Sequence, residues 1–135
     1  MAEPHVHPVS IYYEDTDFSG LVYHANYLKY CERAREHLLG RDRLVRMFQD
    51  TGVGFVVYKA EMSFKEGAVF GDELEVRTIV ELGSEFRVIF HQDVWRVGGT
   101  GPLVRCVIHL VTVDAANKLV ALPADVITLA RERFG

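Results

Sequence analysis

From Asn26 to Gly52 apolar residues recur at every third or fourth position, and from Val56 onward they recur at every second one. That change of period constrains the fold more than any other feature of the chain. A repeat near 3.6 puts apolar side chains on one face of a helix, whereas a repeat of 2 puts them on one face of a strand. The chain must therefore set a helical stretch against a run of strands.

In the helical part, Tyr27, Cys31, Ala34 and Leu38 share a face, while Lys29, Glu32, Arg33, Glu36 and His37 fill the others. Gly40 is the expected stop, and Arg41 to Asp50 reads as a second short helix closed by Thr51-Gly52. Before the helix, Val9, Ile11 and Tyr13 alternate with polar neighbours and predict a first strand. After Gly52, Val56, Tyr58, Ala60, Met62 and Phe64 are expected to share one face. Leu74, Val76, Thr78, Val80 and Leu82 do the same, opposite Glu73, Glu75, Arg77 and Glu81. Two more strands follow, through Phe86, Val88, Phe90 and Val94, then through Val104, Cys106, Ile108 and Leu110. Their connections, Gly83-Ser84 and Gly98 to Pro102, are short enough to require antiparallel pairing. Pro123 followed by Ala124 to Phe134 predicts a terminal helical turn or two.

One helix with too much apolar surface for solvent and about five antiparallel strands with one apolar face make a two-layer α+β domain spanning residues 1–135. A chain of 135 residues can bury such a core without disulfide or metal staples. Cys31 and Cys106 fit neither a metal motif nor a disulfide framework and are expected to be reduced and buried. The net charge of −4 argues against nucleic acid as a partner. The apolar runs are too short for a transmembrane segment, and the first residues lack a basic region followed by an apolar one. The expected location is cytoplasmic, with peripheral membrane association left open.

The polar residues that local structure does not explain concentrate between Tyr12 and Tyr27. Glu14, Asp15, Asp17, His24 and several tyrosines fall in what reads as a strand-to-helix connection. A helix N-terminus there offers N–H groups without intrahelical partners, which can polarise a carbonyl and hold an oxyanion. A carboxylate beside it can attack that carbonyl or activate water. The plainer alternative is that Asp15 or Asp17 only caps the turn and His24 is a surface residue.

The run Tyr13-Glu14-Asp15-Thr16-Asp17, with Gly20, Val22-Tyr23-His24-Ala25 and Tyr27 after it and Glu32-Arg33-Ala34-Arg35 beyond, closely resembles the signature of the 4-hydroxybenzoyl-CoA thioesterase family. The likeness is greatest to its YbgC-like branch, encoded beside the Tol-Pal envelope system. Phe55-Val56-Val57 and Leu122-Pro123 match in order, so the resemblance covers nearly the whole chain. It implies the hotdog fold, a five-stranded antiparallel sheet wrapped around a long central helix. It also implies hydrolysis of the thioester of an acyl-CoA or acyl-carrier-protein, without cofactor or metal, by a homodimer or homotetramer.

Residue by residue, Asp17 matches the catalytic carboxylate, as nucleophile or as general base. His24 matches a histidine at the helix start whose N–H faces the thioester oxygen. Tyr13, Gly20, Tyr23 and Asn26 match positions around the substrate, Gly20 as the glycine of the tight connection and Tyr13 and Asn26 as supports. Asp15 is in the motif without an expected chemical role. The alternative function is a non-catalytic hotdog subunit that binds acyl groups or serves envelope assembly.

Other candidates have plainer explanations. Glu32 and Glu36 are expected in salt bridges, Glu32 with Lys29 and Arg35, Glu36 with Arg33. His5 and His7 could share a strand face but lack a third metal ligand, so a frayed terminus is expected. The Gly98-Gly99-Thr100-Gly101 run lacks the Lys-Ser or Lys-Thr of a phosphate loop, and no Gly-x-Ser-x-Gly elbow occurs. For CoA phosphates the basic candidates are Arg87, Lys59 and Lys65.

Overall fold

The computed structural model describes residues 2–135. In chain order the elements are β1 (His5–Ser10), a 3-10 turn at Tyr13–Asp15, α1 (Asn26–Leu39), α2 (Arg41–Thr51) and β2 (Gly54–Phe64). They continue with β3 (Glu73–Leu82), β4 (Arg87–Arg96), β5 (Pro102–Val113), β6 (Leu119–Val120) and α3 (Ala124–Arg133). The strands form one antiparallel sheet in the order β1-β3-β4-β5-β2, with β6 paired to β5. Since β2 takes one side of Thr112 and Val113, β6 prolongs the sheet on the other side, beyond the end of β4 at Arg87. The sheet thus has a short sixth strand that the sequence pattern does not announce.

The period change lies where expected, and glycine marks both helix ends. Gly40 (φ 94°) separates α1 from α2, and Gly52 (φ 72°) ends α2 in the left-handed region. A side chain at Gly52 would also bring its Cβ within 2.9 Å of that of Ala115. The core lies on one sheet face: Leu74, Val76 and Val80 of β3, Val88, Phe90 and Val94 of β4, and Val104, Cys106, Ile108 and Leu110 of β5. Tyr27, Tyr30, Cys31 and Ala34 of α1 pack onto it, joined by Val126 and Ala130 of α3. The C-terminal segment is thus a ten-residue helix that contributes to the core, more than the expected turn or two. Among the described residues no helix is long and apolar enough to cross a membrane.

Other expectations need correction. β2 is not a simple alternation: Val57 opposes Leu110 and Lys59 opposes His109, so Tyr58 is an extra residue in a bulge. One inserted residue exchanges faces. The core side of β2 therefore carries Phe55, Val57, Ala60, Met62 and Phe64, opposite Thr112, Leu110, Ile108, Cys106 and Val104, while Val56 turns outward. The first strand ends at Ser10, so Tyr13 leaves the alternation for the 3-10 turn and is 77% exposed. Leu39 is more deeply buried than Leu38 at the end of α1.

The expected salt bridges of Glu32 and Glu36 do not form. Arg35, assigned to Glu32, instead turns into the core at 8% exposure. There it donates to the Gln92 side-chain oxygen at 3.0 Å. Gln92 in turn donates to the Cys31 carbonyl (3.0 Å) and the Thr78 hydroxyl (3.1 Å). Cys31 and Cys106 are buried free thiols, and the Cys106 thiol is pushed up by its hydrogen bond with Cys31 and by burial.

Nor is the strand of His5 and His7 frayed, since it pairs along its length with β3. A third imidazole, His37 of α1, stacks on His7 with ring centroids 4.6 Å apart, face to face rather than converging on a point. Burial, followed by His37, His5 and Arg33, holds His7 below the usual 6.5, and burial, Arg133 and His37 do the same for His5. The unfolded chain therefore binds more protons there than the folded one, and the stability present above pH 6.5 is lost as pH falls through the depressed folded values. Melting temperature should drop between about pH 7.5 and about pH 5, and His7→Gln should reduce that drop, as calorimetry at the two pH values would show. An unchanged pH dependence in the variant would remove the cluster from the explanation.

Candidate active site

Between β1 and α1 the chain makes a small hairpin. Thr16 bridges Val22, and Leu21 bridges Val69 of the β2–β3 connection. The Asp17 N–H donates to the Leu21 carbonyl (2.9 Å) and the Gly20 N–H to the Asp17 carbonyl (3.0 Å). Gly20 has φ 84°, a left-handed conformation that a side chain would strain, which is why a glycine closes this turn. The Val22 N–H donates to the Ala68 carbonyl (2.9 Å) and so ties the hairpin to the rest of the fold.

Asp17 sits at the head of this turn. One carboxylate oxygen, Oδ1, accepts from the Ser19 N–H (2.8 Å) and the Ser19 hydroxyl (2.5 Å). Among the described residues no donor reaches Oδ2. The Ser19 hydroxyl first and its N–H second hold the Asp17 carboxyl below the usual 3.8, helped by the charge of His24 and opposed by slight desolvation. At neutral pH the group is an ionised carboxylate with one free oxygen.

Asp15 has a different task. Its side chain accepts from the Tyr12 N–H (2.8 Å), and its carbonyl accepts from the Tyr23 N–H and from the Asn26 side-chain amide, both at 2.9 Å. It ties the 3-10 turn to the start of α1. That start leaves two N–H groups unused: among the described residues neither His24 nor Ala25 donates to a protein acceptor, while Asn26 already bonds the Tyr23 carbonyl. The His24 ring lies against Tyr23 (4.5 Å between centroids) and edge-on to Phe64 (6.2 Å).

Asp17, Ser19, His24, Tyr27, Phe64 and Lys65 line one cavity of about 330 Å³. Of the residues singled out in the sequence, the structure brings Asp17 and His24 together here. Gly20, Tyr23 and Asn26 shape or brace the walls without lining it. Tyr13 does not line it either: it is exposed, and its ring is edge-on to Phe70 at 5.9 Å. Sequence reasoning missed Ser19, although Asp-x-Ser is the spacing by which an aspartate side chain bonds its own turn. It also missed the Tyr27 hydroxyl, which accepts from the Ala68 N–H at 3.2 Å, and Phe64. Of the basic candidates only Lys65 is at this cavity. Lys59 pairs with Glu61 at 3.2 Å, and Arg87 lies at the far end of β5, opposite Val111. Among the described residues no cluster of His, Cys, Asp or Glu could hold a metal ion.

The chain matches the model of the thioesterase-like superfamily over residues 12–129. It is 34% identical over 122 residues to the acyl-CoA thioesterase YbgC of Haemophilus influenzae, covering 88% of each protein. With the YbgC of Helicobacter pylori the identity is 46% over 83 residues, and this match spans 61% of that relative's length. Among solved structures, a probable thioesterase from Bartonella henselae superposes with a TM-score of 0.76 at 29% identity, over 90% of this chain and 99% of the other. A 1,4-dihydroxy-2-naphthoyl-CoA thioesterase from Synechocystis shares the fold with a TM-score of 0.84 at 23% identity, over 93% of each chain.

The Ser19 hydrogen bonds predict a measurable shift. Ser19→Ala removes the hydroxyl donor and keeps the N–H, so the Asp17 titration should move up toward 3.8. Carbon-13 chemical shifts of the carboxyl against pH would show it, and an unmoved midpoint would deny Ser19 this role.

Proposed function

Because this chain belongs to the thioesterase-like superfamily, we propose that it hydrolyses the thioester bond of an acyl-CoA, with Asp17 supplying the chemistry and the start of α1 holding the oxyanion. The observation that carries the proposal is the ionised, half-free Asp17 carboxylate in one cavity with His24, at a helix start where the His24 and Ala25 N–H groups have no partner among the described residues. Relatives named as acyl-CoA thioesterases support the reaction class, and favour CoA over an acyl-carrier-protein.

The chemistry follows from these groups. The thioester carbonyl oxygen takes hydrogen bonds from the His24 and Ala25 N–H groups, whose value grows as negative charge develops on that oxygen. Asp17 then acts through Oδ2 in one of two ways. As a base it takes a proton from water while the water oxygen attacks the carbonyl carbon. The carbon–sulfur bond breaks, and the departing thiolate recovers the proton from the Asp17 carboxyl. As a nucleophile Asp17 itself displaces the thiolate and forms a mixed anhydride, which water hydrolyses back to two carboxylic acids. Both routes need the carboxylate charged, which the Ser19 bonds favour. Lys65 at the cavity wall is suited to a CoA phosphate. The reaction is assigned to the cytoplasm, where acyl-CoA is available.

The working form is proposed to be a homodimer at least, or a homotetramer. β2 is an edge strand whose outer side pairs with nothing among the described residues, and it exposes Val56, Val57, Tyr58 and Phe64. Phe18, next to Asp17, is fully exposed. Light scattering at micromolar concentration should return at least twice the chain mass, and a monomer would contradict the assembly.

Asp17→Asn keeps size and turn but removes base and nucleophile alike. It should lower kcat by about 10³-fold or more with KM largely kept. His24→Ala keeps the backbone donor, so a loss smaller than that of Asp17→Asn is expected. Asp15→Asn keeps the acceptor for the Tyr12 N–H and should cost far less. Thiol release from acyl-CoA, measured on variants of unchanged melting temperature and oligomer size, decides. Wild-type turnover in Asp17→Asn would sink the mechanism, and binding without turnover in the native protein would favour a non-catalytic acyl-binding subunit.

A further inference from the structure

A second cavity, of about 280 Å³, lies at the other end of α1. Leu39, Leu44, Met47, Phe55, Val57 and Leu110 make it apolar, and Glu32, Arg35 and Glu36 add charge to its wall. The two cavities have no lining residue in common but lie along the same two elements. The Asp17 cavity is bounded by Tyr27 of α1 and Phe64 of β2, the second by Arg35 of α1 and Val57 of β2. Between Phe64 and Val57 the core side of β2 carries only Met62 and Ala60, and Ala60 is exposed. An acyl chain running from one cavity to the other would pass between α1 and β2 over Met62 and Ala60.

Arg35 is the unusual wall. It is 8% exposed, and among the described residues its only hydrogen bond is to the Gln92 oxygen, with no carboxylate within ion-pair distance. A guanidinium has five N–H donors, so most of them remain for something else. Such a cation is costly to bury unless its donors are used. Gln92 cannot offer more, because its amide is already committed to Cys31 and Thr78.

We propose that the two cavities form one trough, which takes a medium-length acyl chain whose far end carries a hydroxyl group that accepts from Arg35 and donates to Glu32 or Glu36. This rests on the thioesterase reading and names its substrate class. Length follows from the helix: Arg35 lies nine residues beyond Asn26, about 14 Å of rise, and its side chain leans back toward the helix N-terminus. From a carbonyl at the His24 N–H, an extended chain of roughly eight to ten carbons reaches it. A one-ring aromatic acyl group ends short of it. The two glutamates choose the polar end. They repel a carboxylate but accept from a hydroxyl, and a hydroxyl, which both donates and accepts, serves both signs of partner.

The experiment compares butyryl-CoA, decanoyl-CoA, 10-hydroxydecanoyl-CoA and the ω-carboxylated ten-carbon thioester, by kcat/KM of thiol release. The ten-carbon hydroxyl substrate should exceed decanoyl-CoA by about 10-fold, and the carboxylated one should fall below the hydroxylated one. Arg35→Met should erase the hydroxyl preference. Since that variant leaves Gln92 without its donor, Val57→Trp is a second test: it narrows the trough from an exposed position and should lower the decanoyl-to-butyryl ratio. Calorimetric binding of 10-hydroxydecanoic against decanoic acid repeats the comparison without turnover. Absence of hydrolysis for every thioester would overturn the reaction assignment, while the binding comparison would still decide the trough. Equal kcat/KM for the hydroxylated and plain chains, equal binding of the two acids, preference for the carboxylate, or an unmoved ratio in Val57→Trp would each overturn this proposal.

Discussion

Gln92 is where the helix layer and the sheet layer are fastened. It lies at the centre of the sheet, on the middle strand β4, with no exposed surface, and holds the Cys31 carbonyl, the Thr78 hydroxyl and the Arg35 guanidinium. Apolar contact alone would let α1 rotate or slide over Phe90, Val104 and Ile108 at modest cost, because burial has no direction. A buried amide does not permit that, since each lost bond leaves a polar group unsatisfied in the core. The bond to the Cys31 carbonyl sets the height of α1 above the sheet, and the bond to Arg35, one turn later, sets its rotation. With the helix so held, its first turn falls beside the hairpin of Asp17. The position of the helix start relative to Asp17 therefore depends on a contact at the middle of the sheet.

What was legible in the chain follows from which interactions are local. The passage from helix to strands, the stops at Gly40 and Gly52 and the antiparallel pairing all depend on near neighbours in sequence, and all were readable. The bulge at Tyr58 was not, because Phe55, Val56, Val57 and Tyr58 are all apolar and an extra residue leaves no mark in such a run. Nor was Arg35. Glu32, three residues earlier, offers it the usual helical pairing, and its actual partner is 57 positions away in sequence. A charged side chain on a helix is read as a solvated face, and only the packed structure shows that this one turns inward.

The candidate site was readable to a different degree. Asp17 and His24 share a cavity because the turn between them is short and closed by Gly20, a constraint written in a few adjacent residues. Phe64 and Lys65 reach the same place from the far end of β2, and nothing near Asp17 in sequence points to them. Tyr13, close to Asp17 along the chain, faces away because the 3-10 turn intervenes. Distance along the chain was a sound guide within the hairpin and a poor one across it.

The electrostatics of the site bear on its assembly. Hydrogen bonds to an oxyanion are strongest where water is excluded, since the same dipoles act through a lower effective dielectric. In the isolated chain Asp17 is exposed to solvent, and Phe18 beside it is fully exposed. Leu21, Tyr23 and Phe64 add exposed apolar surface around the same spot, next to the unpaired edge of β2. An apolar rim around an ionised carboxylate serves no purpose in a monomer, where it only adds to the surface that water must cover. Covered by a second copy, the same rim would exclude water from Asp17 and from the helix start together. The Ser19 bonds would then matter more, because burial raises a carboxyl pKa and the two donors oppose that rise at Oδ1 while leaving Oδ2 free. A carboxylate already stabilised in solvent is one that can stay ionised once the solvent is gone.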